Sequence, residues 1–230
     1  MKVVILAGGF GTRISEYTKS IPKPMIKVLG RPILLRIMDH YLKFGHKDFY
    51  IATGFKSKII ENYFKNFKNP KYNINIINTG LKTMTGGRLK KLKKYLNETF
   101  LMTYGDGLSN ININNLVRFH KKNKKLVTLT AVRPPARFGA IKIQNNSVKY
   151  FREKSSLDEG WINGGFFVIN PEFIDYIFDY NTYLEREPLE ILTKKKQLGA
   201  YKHYGFWQCI DTKRDLVILN EIIKNKKIKF

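Results

Sequence analysis

The segment VVILAGGFGTR at residues 3–13 restricts the fold more than any other part of the chain. A short apolar run that stops at glycine fits a strand buried on both faces, and such strands belong to parallel sheets covered by helices. Gly8, Gly9 and Gly11 then fall within four residues. Glycines there let the backbone come close to an anion and present its N–H groups to it. A tight strand-to-loop turn with no ligand is the plainer alternative.

The following residues continue the same alternation. RPILLRIMDHYLKFG places Leu34, Leu35, Met38, Tyr41 and Leu42 at helical spacing, with Gly45 past the end. DFYIATGF reads as a second strand, KSKIIENYFKNF as an amphipathic helix and YNINIINTG as a third strand. A βαβαβ opening implies a parallel sheet wrapped by helices. Further on, GRLKKLKKYL predicts a helix, TFLMTYGDG a strand, NINNLVRFHKKN a helix and LVTLTAVRPP a strand. FGAIKIQNNSVKYFREK alternates around Asn-Asn-Ser, as a hairpin does. WINGGFFVINPEFIDYIF reads as a strand entering a helix, EPLEILTKKKQ as a helix, LGAYKHYGFWQCI as one or two strands, and DTKRDLVILNEIIKNK as the last helix. No linker or repeat divides the chain, so residues 1–230 are expected to form one mixed α/β domain.

Composition narrows the partners. A formal net charge of +24 invites a nucleic-acid or membrane-surface reading. The lysines, however, are spread through the chain, with clusters in LKKLKKYL, HKKNKK, TKKK and KNKKIK that sit on solvated faces. Aromatics do not interleave with them at stacking intervals. Neither nucleic acid nor membrane is expected as a partner. No apolar run is long enough for a bilayer span, no signal-peptide layout is present, and a lone Cys209 suits a reducing compartment. A cytoplasmic protein is expected.

In open α/β sheets, ligands sit beyond the carboxyl ends of the strands. Three segments fall there: AGGFGTR after the first strand, YGDG after the fourth and IDTKRD after the last. Their convergence matters more than any one of them. The first is not G-x-x-x-x-G-K-[ST], and G-x-G-x-x-G is broken where Thr12, Arg13 and Ile14 follow Gly11. A Rossmann-type oxidoreductase is therefore disfavoured, and Arg13 indicates a phosphate gripped by charge as well as backbone. Pro22 and Pro24 stiffen an extended segment around Lys23, which suits a polyphosphate, although a surface lysine in a rigid turn explains it too. Asp106 is either a turn aspartate or a ligand. Asp211 or Thr212 caps the last helix, with Thr212 and Asp215 as a capping box, or Asp211 joins Asp106 in holding one Mg²⁺.

LAGGFGTR with PKPM resembles the signature region of the sugar-1-phosphate nucleotidylyltransferases. TGLKTMTGGRLKKLKKYL, FLMTYGDG, PPARFGAIKI, GWINGGFFV and GFWQCIDTKRD are similar, in order, to its glucose-1-phosphate cytidylyltransferase branch. The resemblance implies a single three-layer α/β/α domain with a Rossmann-like, mixed and mostly parallel sheet, the nucleotide-diphospho-sugar transferase type. It also implies in-line transfer of a cytidylyl group from CTP to α-D-glucose 1-phosphate, with Mg²⁺ and release of pyrophosphate. Another nucleotide or another phosphorylated acceptor is the alternative. The connection from YFKNF to NINIINTG, near residues 64–77, is shorter than in the cytidylyltransferases it resembles, where a loop is inserted that bears on base preference and subunit contacts. A homo-oligomer is expected.

Carried over by motif, Arg13, Lys23, Asp106 and Asp211 are the catalytic residues, and Asp106 and Asp211 the Mg²⁺ ligands. Leu6, Ala7, Gly8, Gly9, Phe10, Gly11, Thr12, Arg13 and Lys23 surround the nucleotide. Thr83, Gly87, Arg88 and Gly105 complete its pocket. Gly139, Glu153, Lys154, Asn163 and Gly164 form the sugar-phosphate pocket, although Glu153 and Lys154 also read as paired charges at an exposed strand end.

Overall fold

The computed structural model describes residues 1–135, 140–152 and 160–225. The chain begins with β1 (Val3–Ala7), the short helix α1 (Ser15–Thr18), the two-residue strands β2 (Lys27–Val28) and β3 (Arg31–Pro32), and α2 (Ile33–Lys43). It continues through β4 (Asp48–Thr53), α3 (Ser57–Lys65), β5 (Asn73–Asn78), α4 (Thr85–Lys91), β6 (Phe100–Tyr104) and β7 (Gly107–Ser109). Next come α5 (Ile113–Asn123), β8 (Val127–Val132), β9 (Ala140–Gln144), β10 (Ser147–Arg152) and β11 (Ile162–Ile169). Last are α6 (Glu187–Lys194), β12 (Leu198–Lys202), β13 (Trp207–Cys209) and α7 (Lys213–Lys224).

One seven-stranded sheet, ordered β12-β8-β11-β6-β1-β4-β5, forms the centre. Only β11 runs against its neighbours, and the other pairs are parallel. All five residues of β1 are buried, as a strand covered on both faces requires. Its alternating side chains divide the core. Val3 and Ile5 join Leu34, Tyr41, Phe49 and Leu216 on one face, while Val4 and Leu6 join Leu89, Met102, Phe167 and Leu192 on the other. Helices on both faces make the expected α/β/α sandwich.

The chain leaves β1 toward β4 and β5, then returns across it to β6. The carboxyl ends of β1 and β6 therefore flank a topological switch point, where open α/β sheets take their ligands. Because β11 is antiparallel, its first residues arrive at the same end. A register shift between Asn163 and Phe167 marks a bulge, and a Cβ on Gly165 (φ +78°) would lie 2.5 Å from the Tyr104 ring.

Several elements differ from the sequence reading. Helix α4 starts at Thr85 and includes Gly86 and Gly87, and after Lys91 only a 3-10 turn, Lys93–Tyr95, follows. Glycine is needed at both positions because another segment lies against the helix: a Cβ on Gly86 would sit 2.8 Å from the Thr182 carbonyl oxygen and one on Gly87 2.0 Å from that of Tyr180. After β11 the chain forms a 3-10 helix, Pro171–Tyr176, rather than an α-helix. Lys23 opens a 3-10 turn, Lys23–Met25, so only Pro22 before it is extended. Strand β13 is not in the central sheet. It pairs with β7 in a separate ribbon, which is how Asp211 reaches the end of β6. The expected hairpin is present, with Asn145 and Asn146 at φ +46° and +60° in its turn.

Candidate active site

A cavity of about 770 Å³ opens at the switch point, within the range of small-molecule sites. The glycine loop after β1 forms one wall. Gly11 adopts φ +66°, and a Cβ there would lie 2.8 Å from Thr18 Cγ2, so glycine is required on both counts. Nothing lies within 4 Å of the space a Cβ on Gly9 would take. Leu6, Ala7, Gly8, Phe10, Thr12 and Gly105 line the same cavity, with Phe10 partly exposed and packed on Phe55 at the rim.

Three segments far apart in sequence meet on one ammonium. Lys23 Nζ donates to Asp106 Oδ2 at 2.6 Å and to Asp211 Oδ1 at 2.7 Å. Arg13 Nη1 donates to the other Asp211 oxygen at 2.5 Å. The Lys23 side chain is 9% exposed, whereas Arg13 stands at 73%, open to a ligand. Burial pushes the Lys23 ammonium down, but Asp106 and Asp211 outweigh it and hold its pKa above the ordinary value. Burial likewise pushes Asp211 up, while hydrogen bonding and charge from Lys23, with Arg13, leave it below the usual carboxylate value. The neighbouring Cys209 thiol is pushed up to about 12 by burial and then by the Asp211 and Asp106 charges, so it stays protonated.

Arg88 is also buried in this wall, but its partners are neutral. Its guanidinium donates to the carbonyls of Gly8 (2.8 Å), Thr53 (3.0 Å) and Gly80 (2.9 Å) and to Thr79 Oγ1 (2.6 Å). It ties together the loops that follow β1 and β5 and the last residue of β4. Burial lowers its pKa to about 10, which leaves it a cation at neutral pH. A Cβ on Gly8 would lie 2.1 Å from Arg88 Nη1, so the first glycine makes room for this strut. Thr83 lines the cavity with its hydroxyl bonded to the Thr79 carbonyl at 2.6 Å. Gly87 lies against Tyr180 instead and does not line the cavity.

Asn163 and Gly164 reach the cavity from β11, and Trp207 Nε1 donates to the Gly164 carbonyl at 2.7 Å. Gly139, Glu153 and Lys154 lie outside the described residues. The sequence reading missed Tyr104, Thr85, Tyr183, Glu185 and Trp207, all of which line the cavity. Trp207 stood in a quoted motif. Glu185 carried no signal, because its contacts come from distant segments.

The Nucleotidyl transferase family model matches residues 2–221. The chain is 44% identical to a glucose-1-phosphate cytidylyltransferase of Salmonella typhi, over 99% of this chain and 97% of that protein. The Salmonella typhimurium glucose-1-phosphate cytidylyltransferase is 43% identical over the same shares. The chain belongs to the nucleotidyl transferase family. Among solved structures, HddC from Yersinia pseudotuberculosis complexed with GMP-PN superposes on the transferase with a TM-score of 0.73 at 25% identity, covering 96% of this chain and 99% of that one. The fold and the family expected from the sequence are both borne out.

Proposed function

We propose that residues 1–230 work as one domain that transfers a cytidylyl group from CTP to α-D-glucose 1-phosphate, giving CDP-glucose and pyrophosphate. An oxygen of the sugar phosphate attacks the α-phosphorus, a new P–O bond forms there, and the bond to the β-phosphate oxygen breaks. Two anions must meet, so the site needs positive charge and orientation rather than a nucleophilic side chain. The observation that carries this reading is the convergence of Arg13, Lys23, Asp106 and Asp211 beside an open glycine loop.

Lys23 bridges the reacting phosphates, and exposed Arg13 meets the leaving pyrophosphate. The glycine loop, with Thr83 and Gly105, receives the nucleotide, while Arg88 holds that loop in place. Asn163 and Gly164, with Gly139, Glu153 and Lys154, receive the sugar phosphate. Oxygens of Asp106 and Asp211 converge on a single cation, Lys23 Nζ, and such a hard-oxygen pair suits Mg²⁺. Among the described residues no His, Cys, Asp or Glu extends the pair to a larger ligand group, so substrate phosphates and water would have to supply the remaining ligands. Bound there, Mg²⁺ offsets charge at the α-phosphate.

The reaction is tested by pyrophosphate release with Mg²⁺ and glucose 1-phosphate, comparing CTP, UTP, dTTP, ATP and GTP. Turnover with CTP is expected. Turnover with another triphosphate moves the base, and silence with all five overturns the reading. We read the working form as a cytoplasmic homo-oligomer with no nucleic-acid or membrane partner. Among the described residues no helix is long and apolar enough to cross a membrane. Pairing of Val148 with Ile143 and of Phe151 with Ile141 puts four side chains, each more than half exposed, on one face of the β9–β10 hairpin, which supports self-association. Light scattering would detect the oligomer, and a monomeric mass would rule it out.

A further inference from the structure

Three carboxylates of the described residues line the cavity, and two are engaged by cations. The third, Glu185, is different. Its Oε1 accepts from the Tyr104 hydroxyl at 2.5 Å and its Oε2 from the Thr85 hydroxyl at 2.7 Å. Among the described residues no cation pairs with it. A carboxylate offers about four lone-pair sites, so two remain for a ligand. Phosphate would be repelled there, whereas a neutral hydroxyl donates a short, charge-assisted bond to such a group. Tyr104 is fixed as a donor: burial, then the Glu185 charge, hold its pKa well above the ordinary value. Asn163 lines the same cavity, and its own Oδ1 takes the Gly165 N–H at 2.9 Å. A polar chain Thr85–Glu185–Tyr104 therefore joins the start of α4 to the end of β6, beside Asn163 of β11.

We propose that Glu185, oriented by Tyr104 and Thr85, accepts a hydrogen bond from a ring hydroxyl of the substrate and so selects an intact sugar ring. Phosphates are sorted to Lys23 and Arg13, and hydroxyls to Glu185. The hydroxyl belongs to the ribose or to the hexose, and the experiment separates the two. The assignment rests on the proposed reaction for its ligands, but binding of the sugar nucleotide tests it without turnover.

Affinity for CDP-glucose is measured by calorimetry on the full chain, with analogues lacking single hydroxyls of the ribose or of the glucose. Glu185→Gln keeps size and removes the charge. It is expected to weaken CDP-glucose binding roughly tenfold or more, the size of one hydrogen bond to a charged group. One deoxy analogue should weaken binding to the unaltered protein by a similar factor, and the variant should lose nothing further with that analogue. The ring that carries the missing hydroxyl identifies the source. Tyr104→Phe, which keeps the ring packed on Gly165, should show the same pattern at smaller size and decides the matter if Glu185→Gln does not fold. Losses that simply multiply for every analogue, or no loss at all, would overturn the proposal. Failure of the unaltered protein to bind CDP-glucose would remove it too. Pyrophosphate release with CTP, measured separately, shows whether the proposed reaction has fallen with it.

Discussion

Two buried cations line the same cavity and are held in opposite ways. Lys23 sits between carboxylates, with its pKa raised, and Arg88 among carbonyls, with its pKa lowered to about 10. In the proposed reaction the Lys23 ion pairs would exchange, a metal satisfying the carboxylates while phosphate takes the ammonium. The Arg88 bonds would not, because releasing them would leave three backbone oxygens, those of Gly8, Thr53 and Gly80, without this donor in a buried place. On the proposed reaction, one cation would serve the chemistry and the other keep the wall in shape.

The largest expected effect tests the first half of this contrast. Lys23→Met should lower turnover roughly 10²- to 10³-fold, the cost typical of one lost electrostatic stabiliser. It should leave the fold intact. Turnover at the unaltered rate would deny Lys23 its role. Asp106→Asn should lose turnover as well, with recovery at higher Mg²⁺ if the residue holds the metal.

Arg88→Met probes the other half. It should lower the unfolding free energy by roughly 3 kcal/mol, since several buried carbonyls lose their donor, as read by chemical denaturation. The Michaelis constant for the nucleotide should rise with it, because the Gly8 loop loses its anchor. A raised Michaelis constant at unchanged stability would instead place the guanidinium on the nucleotide and dissolve the distinction.

Acidity and alkalinity sharpen it further. Asp211, with a folded pKa below 3.8, contributes stability that is present above that value and lost as pH falls through the lower folded one. Lys23, with a folded pKa above 10.5, contributes stability present below that value and lost as pH rises through the higher folded one. Between these limits the cluster should add no pH dependence to stability. Comparing unfolding curves of the unaltered protein and Lys23→Met between about pH 3 and 11 checks both limbs, and identical curves would mean that the cluster carries no stability.

Much of this was legible in the sequence because it is local. The apolar run into Gly8, Gly9 and Gly11 announced a buried strand and a loop open to an anion, and the Asn-Asn turn announced the hairpin. What stayed hidden depends on distant approach. The sequence reading starts the helix at Gly87, and nothing nearby tells that the Thr182 and Tyr180 carbonyls lie against Gly86 and Gly87. Glu185 meets Tyr104 across 81 positions of sequence, so no spacing could pair them. Arg88 was expected around the nucleotide, and its four partners lie in the loops after β1 and β5 and at the end of β4.

The smallest effect concerns Asp211, whose sequence neighbourhood supported a helix cap as well as a ligand. The structure separates the two roles by one residue. Thr212 Oγ1 accepts from the Asp215 N–H, and the Asp215 carboxylate returns bonds to Thr212, a complete capping box at the start of α7. Asp211 takes no part with its side chain, which turns to Lys23 and Arg13. Thr212→Ala should therefore cost about 1 kcal/mol of stability and leave turnover near that of the unaltered protein. Asp211→Asn should do the reverse, lowering turnover with the cap intact. If Thr212→Ala instead lowered turnover as far as Asp211→Asn, the cap would be setting the carboxylate's position, and the start of α7 would belong to the active site.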